Sequence, residues 1–125
     1  MSYQGLTHWF AKITPNSPFF IAILDENHNY LMVNERYCSI AGLTRESLVG
    51  MNDVRVFGEQ FYQHLEPYYQ RALNGESIET EITLNNIDLE TTIHFSLSRI
   101  ELEKGQQAVI FQGVDTSEKQ ILVHS

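Results

Sequence analysis

Two short stretches near opposite ends of the chain are apolar at every position. Residues 19–24 have the sequence FFIAIL, and residues 108–111 have the sequence AVIF. A strand that faces solvent on one side alternates apolar and polar residues, so a strand without alternation is covered on both faces. We therefore predict two central strands of one sheet, with protein packed on both sides of them.

Three further strands are predicted around these two. Residues 30–33 follow the first central strand after a turn, so the two form a hairpin. Residues 78–84 and 92–98 alternate apolar with polar side chains, which is typical of strands with one dry face. The apolar parity changes at Ile100 and Leu102, and we interpret this change as a bulge or bend.

The other segments have helical periodicity. The stripe of an N-terminal amphipathic helix is formed by Leu6, Trp9, Phe10 and Ile13. Short helices are predicted after the N-cap residues Asn34 and Thr44. An irregular stretch at residues 51–58 precedes a long helix at residues 59–74, with Pro67 on its wet side. The order predicts an α+β fold, a five-stranded antiparallel sheet with helices packed on one face. The N-terminal helix should lie across the outer face, either of its own sheet or of a partner's.

Charge and length narrow the classes of partner. The chain has 125 residues, the size of one domain. Its formal net charge of -8 would repel nucleic acid and an anionic membrane surface, so we expect neither as a partner. The N-terminus lacks a signal-peptide pattern, and no apolar run approaches the roughly 20 residues of a spanning helix. The expected location is the cytoplasm.

Three local motifs resemble those of PAS domains, and they occur in the order and at the spacing of that family. Leu24 and Asp25, followed by YLMVN at residues 30–34, resemble its opening hairpin. The segment GLTRESLVG at residues 42–50 resembles its helix-turn segment. The segment DTSEK at residues 115–119 resembles the ending that leads into an output helix.

The resemblance implies a sensory module and not an enzyme. It divides the chain into a flanking helix and linker at residues 1–18, a PAS domain at 19–115 and the start of an output-linking helix at 116–125. It also implies an output domain in the same chain, of diguanylate cyclase (GGDEF) or histidine kinase type. His28 stands where the family usually has glycine, and histidine is among the residues that tolerate positive φ.

Two sets of residues are candidates for ligand binding and for assembly. A small molecule could bind in a hollow between the sheet and the helices, where polar groups would come from Arg55, Tyr62, Tyr69 and His94. The apolar stripe of the N-terminal helix would contribute to a homodimer interface.

Two alternatives remain beside the sensory interpretation. Haem-binding PAS sensors take an axial histidine from the long helix, where this chain has His64. Because no ligand motif accompanies His64, we expect no cofactor, and haem is the alternative. The other alternative is a small α+β enzyme with its active site in the hollow. Asp53 and His94 could act there as acid or base, but the sequence indicates no group that orients them. No histidine pair or cysteine pair has metal-ligand spacing, so no metal site is predicted.

The end of the chain has the spacing of a capping box. Asp115 directly follows the last central strand, and Glu118 lies three residues further on. The two side chains would join this strand stiffly to the start of a helix. We therefore predict that Asp115 and Glu118 relay the signal to the output domain.

Overall fold

One antiparallel sheet organises the protein. The computed structural model describes residues 2–14, 17–85 and 90–116. The strands, in chain order, are β1 (Phe20–Asp25), β2 (Tyr30–Val33), β3 (Ile78–Asn85), β4 (Glu90–Glu101) and β5 (Gln107–Asp115). Their order in the sheet is β2-β1-β5-β4-β3, and all neighbours are antiparallel. β1 and β5 are adjacent inside the sheet, which confirms the prediction made from their unbroken apolar sequences.

Helices cover both faces of the sheet. In the described residues they are α1 (Tyr3–Ile13), α2 (Glu35–Ala41), α3 (Arg45–Leu48), α4 (Asp53–Phe57) and α5 (Glu59–Leu73), with a 3-10 turn at Glu103–Gly105. The main core lies between α2–α5 and one face of the sheet. A second core lies on the opposite face, where Leu6 and Phe10 of α1 pack on Ile21, Ile23 and Ala108. The predicted α+β architecture is confirmed, and α1 lies across the outer face of the chain's own central strands.

Asn34 ties the hairpin to the first helix of the main core. Its Oδ1 accepts hydrogen bonds from Tyr37 N and from Ile21 N, both at 3.0 Å. Its Nδ2 donates to Phe19 O at 2.9 Å. The side chain is buried, so it satisfies backbone groups that have no water to replace it. The predicted N-cap is therefore also a link between β1 and α2.

Two local predictions are wrong. Residues 51–58 are not irregular throughout, because Asn52 caps the helix α4 by accepting from Val54 N. A helix of five residues is too short to show an apolar period. The register of β4 on β5 continues through the pair Glu101↔Gln107, so β4 has no bulge near Ile100. The parity changes because α1 covers the outer face at this end of the sheet.

Pro67 is exposed on α5, as predicted. Within the described part of the chain, no helix has the length and apolarity needed to cross a membrane.

Candidate functional site

The turn between β1 and β2 buries a histidine. His28 has φ 67°, in the left-handed region, and its relative exposure is only 3%. Its backbone N donates to Asp25 O at 3.0 Å. Asp25 Oδ1 in turn accepts from Asn27 N at 2.9 Å and from Asn29 N at 3.0 Å. These bonds hold the turn so that the imidazole points inward instead of into solvent.

The imidazole lies between two carboxylates from two helices. His28 Nδ1 is 3.4 Å from Asp53 Oδ2, and His28 Nε2 is 2.6 Å from Glu66 Oε2. The second contact is close but is not aligned as a hydrogen bond. Two aromatic rings enclose the imidazole edge-on, Tyr62 at 5.0 Å and Tyr69 at 4.3 Å between centroids. We call these five residues the His28 cluster.

The loop before α4 brings Asp53 to the turn. Asp53 N donates to His28 O at 3.0 Å, and Asn29 and Asn52 form an isolated β-bridge. Asn52 Nδ2 also donates to Asn27 O at 2.7 Å. Asp53 is 3% exposed, so its carboxylate is held inside the protein. The cluster thus connects the β1–β2 turn, the start of α4 and the middle of α5.

A small cavity adjoins the His28 cluster. It measures about 10 Å³, roughly the room for one water molecule. Its lining is mainly aromatic and aliphatic, with Asp53 as the one carboxylate, and comprises Tyr37, Ile40, Asp53, Phe57, Phe61, Leu65, Tyr69, Ile93 and Phe111. Asp53 Oδ1 is buried and has no hydrogen-bond donor among the described residues. We call this space the interior cavity.

An open groove lies outside the interior cavity. It has a volume of about 650 Å³ and runs between α2, α4, α5 and the edge strand β3. Ile40, Phe57 and Phe61 line both spaces, so these three side chains separate the groove from the interior cavity. Movement of these side chains would join the two spaces. The joined space would have the size of an ordinary ligand pocket.

Three tyrosines in and beside the His28 cluster are buried, and their hydroxyls are uncharged. Burial raises the pKa of Tyr69 well above its usual value, and the nearby carboxylate of Asp53 raises it further. Burial likewise raises the pKa of Tyr37 and of Tyr30, whose hydroxyl oxygens are 2.6 Å apart. All three hydroxyls therefore keep their protons at neutral pH.

The sequence profile of the PAS fold family matches residues 14–121. The chain belongs to the PAS fold family. Comparison with curated proteins finds no match.

Solved structures agree with this assignment. The PAS domain of BvgS from Bordetella pertussis has a TM-score of 0.74 at 15% identity, covering 97% of this chain and 95% of that one. A domain of a sensory box sensor histidine kinase/response regulator from Geobacter sulfurreducens has a TM-score of 0.66 at 20% identity, covering 88% of this chain and 94% of that one. The PAS domain of nitrogen regulation protein NR(II) from Vibrio parahaemolyticus has a TM-score of 0.67 at 16% identity, covering 84% of this chain and 95% of that one. At these identities the likeness establishes the fold.

The PAS fold brings together two of the four predicted ligand-binding residues. Tyr69 lines the interior cavity, and Tyr62 packs on His28 beside it. Arg55 is exposed on α4 and lines neither the interior cavity nor the open groove. His94 lies on the opposite face of the sheet, where its Nε2 is 2.8 Å from Glu79 Oε1. The predicted position of His94 in the hollow is wrong because its strand neighbours Ile93 and Phe95 take the core-facing positions.

The other predicted residues lie apart from the interior cavity. His64 is exposed on α5 and lines the open groove of the PAS domain. Asp115 is the last residue of β5, and Thr116 directly follows it at the end of the described residues. Glu118 lies outside the described residues, so the capping box stays a prediction. Among the residues that the structure describes, no group of His, Cys, Asp or Glu could hold a metal ion.

The contact between His28 and Asp53 in this PAS domain was not predicted from the sequence. The interpretation of Asp53 as a residue without an orienting partner is wrong, since His28 lies against it. The sequence did contain one signal, because His28 places an ionisable ring where PAS domains usually have glycine. Glu66 carried no signal, because an acidic residue on a helix is ordinarily solvated.

Proposed function

We propose that this PAS domain is the sensory module of a larger signalling protein, and that it binds a small molecule in the interior cavity. The observation that carries the proposal is a buried carboxylate, Asp53, that faces an otherwise apolar space. A mostly apolar pocket with a few placed polar groups is the usual composition of a ligand site. PAS domains are in general sensory and not catalytic, and catalysis in this proposal belongs to another domain.

The signal leaves the domain along β5. Phe111 lines the interior cavity, and Asp115 ends the same strand. Thr116 Oγ1 donates to Thr92 O at 2.9 Å, which attaches the end of β5 to β4. A ligand that displaces Phe111 would therefore shift the point where the chain continues toward an output domain. We propose a histidine kinase or a diguanylate cyclase as that domain.

The module acts as a homodimer through α1. Leu6 and Phe10 are buried against the sheet, whereas Trp9 and Ile13 are 39% and 42% exposed. Two large apolar side chains one turn apart would gain stability by packing on a second copy. Sedimentation of the wild type against Trp9→Ala/Ile13→Ala tests this, with His8→Ala/Lys12→Ala on the same helix as the control. A dimer lost only in the first variant supports the proposal, and a monomeric wild type overturns it.

Chemical-shift mapping tests the ligand site. A library of small organic molecules is titrated into labelled wild type, Ile40→Phe and Ile110→Phe. Ile40 lies between the groove and the interior cavity, whereas Ile110 packs beneath α1 on the other face. We expect ligands of the proposed site to shift the amide resonances of α5 and β5. Their binding should be weaker in Ile40→Phe than in the wild type, and unchanged in Ile110→Phe. If the library shifts only resonances of residues away from the interior cavity, the proposal is contradicted.

The relay is tested in the full-length protein. Asp115→Ala should reduce the response of output activity to the stimulus far more than its loss of stability explains, about 1 kcal/mol for an ordinary cap. Thermal stability and output activity are measured together, with and without stimulus. Unchanged regulation in Asp115→Ala would show that this junction does not couple the two domains.

A further inference from the structure

We propose that the ligand of the interior cavity carries a cationic nitrogen, an amine on a compact apolar body, and that Asp53 selects it. This inference rests on the proposed ligand site and adds its chemical class.

Asp53 has acceptor capacity that the described protein does not use. Its Oδ2 makes one long hydrogen bond with His28 Nδ1, at 3.4 Å, and its Oδ1 has no described donor. The nearest backbone donors of α4 are bound elsewhere, because Val54 N donates to Asn52 Oδ1 and Arg55 N donates to Asn52 O. His28 is also shared with Glu66. A buried carboxylate with one weak partner favours a ligand that brings donors and positive charge.

The surrounding rings favour the same charge. Five aromatic side chains line the interior cavity: Tyr37, Phe57, Phe61, Tyr69 and Phe111. The faces of such rings carry negative potential, so they attract an ammonium group and not a carboxylate. Burial raises the pKa of Tyr37 and Tyr69, so their hydroxyls stay neutral and the negative charge beside the cavity comes from carboxylates. Glu66, the second carboxylate of the His28 cluster, adds further repulsion against an anion.

The size of the space limits the body of the ligand. The interior cavity of about 10 Å³ does not admit an organic molecule unless side chains move. Phe57 and Phe61 lie in contact at 4.9 Å between centroids, and both line the interior cavity and the open groove. Both are half-buried, and their rotation would open the cavity to the groove of about 650 Å³. The head of the ligand would then reach Asp53 while its apolar body replaces the displaced rings.

Three probes with one body and three heads test the inference: benzylamine, benzyl alcohol and benzoate. Their dissociation constants are measured by calorimetry on wild type, Asp53→Asn and Glu59→Gln, an exposed acid used as the charge control. We expect benzylamine to bind wild type at least about tenfold tighter than benzyl alcohol, and benzoate not to bind. Asp53→Asn should remove this preference and leave the alcohol nearly unchanged, while Glu59→Gln should keep it.

The outcomes separate the two proposals. If the alcohol enters the cavity and the amine has no advantage, or keeps its advantage in Asp53→Asn, the amine inference is overturned and the ligand site stands. If shift mapping places no probe at the interior cavity, the amine inference fails, and the library titration still decides the site. Should Asp53→Asn not fold, the wild-type order of the three probes and the location of benzylamine by shift mapping decide the matter. If benzylamine binds only at the outer face of the sheet, the amine inference is also overturned.

Discussion

His28 Nε2 lies 2.6 Å from Glu66 Oε2, so the β1–β2 turn is attached to the middle of α5. The contact crosses from a turn at the edge of the sheet to the longest helix on it. Asp53 approaches the other nitrogen of the same ring. A single imidazole therefore joins the β1–β2 turn to α4 and α5, two helices that line the interior cavity.

At His28 the backbone conformation is unfavourable, whereas the side-chain contacts are favourable. A residue with a Cβ at φ 67° is less stable than glycine there by about 1–2 kcal/mol, whereas the ring gains its contacts with Tyr62, Tyr69 and two carboxylates. We expect His28→Ala to lower the free energy of unfolding by about 3 kcal/mol, because removing the buried ring leaves a cavity beside Tyr62 and Tyr69. His28→Gly should be about 1 kcal/mol more stable than His28→Ala.

Urea denaturation of both variants measures these differences. The control is Lys104→Gly, because Lys104 has φ 64° and an exposed side chain. It should stabilise the protein by about 1 kcal/mol. If His28→Ala is as stable as the wild type, the cluster does not contribute to the fold.

The cap at Asn34 should be worth more than an ordinary cap. Asn34→Ala removes one cap bond and also leaves Ile21 N and Phe19 O without their partner, so we expect a loss of about 3 kcal/mol. Thr44 caps α3 at an exposed position, and Thr44→Ala should cost about 1 kcal/mol or less. Chemical denaturation of the two variants gives the comparison. Equal losses would mean that the link from Asn34 to β1 adds nothing.

The buried tyrosines predict loss of stability at alkaline pH. Burial raises the pKa of Tyr30, Tyr37 and Tyr69 in the folded protein above the unfolded value of about 10. The unfolded chain therefore loses these protons first. Their contribution is fully present below pH about 10 and is lost as the pH rises above it.

Circular dichroism and tyrosinate absorbance, followed together against pH, test this expectation. The buried tyrosines should ionise only as the protein unfolds. Tyr69→Phe should reduce the protons released in that step and weaken the pH dependence. Ionisation of all tyrosines before any change in circular dichroism would contradict the prediction.

The protein should be colourless when produced with iron and a haem precursor. His64 is exposed beside Gln60, Gln63 and Thr83 in the open groove, whereas an axial ligand normally lies in an apolar slot. An absorption spectrum of the purified protein tests this, with His64→Ala as the matched variant. A Soret band that disappears in His64→Ala would establish the haem alternative.

Local patterns predicted most elements of the fold. Asn34 and Thr44 cap helices as expected, because capping depends on a side chain and the backbone two or three residues away. Strand alternation placed Ile93, Phe95 and Leu97 on the core face. The parity change at Ile100 was misread as a bulge, because sequence spacing does not reveal that α1 covers the other face there.

The sequence by itself determined the two central strands, the amphipathic α1 and the PAS motifs, since each depends on residues close together in the chain. Only the tertiary structure placed His28 between Asp53 and Glu66 and removed His94 from the hollow. The physical reason is that buried polar groups need partners, and the partners of His28 converge on it from α4 and α5. That convergence depends on strand pairing and helix packing across the whole chain, and no local pattern records it.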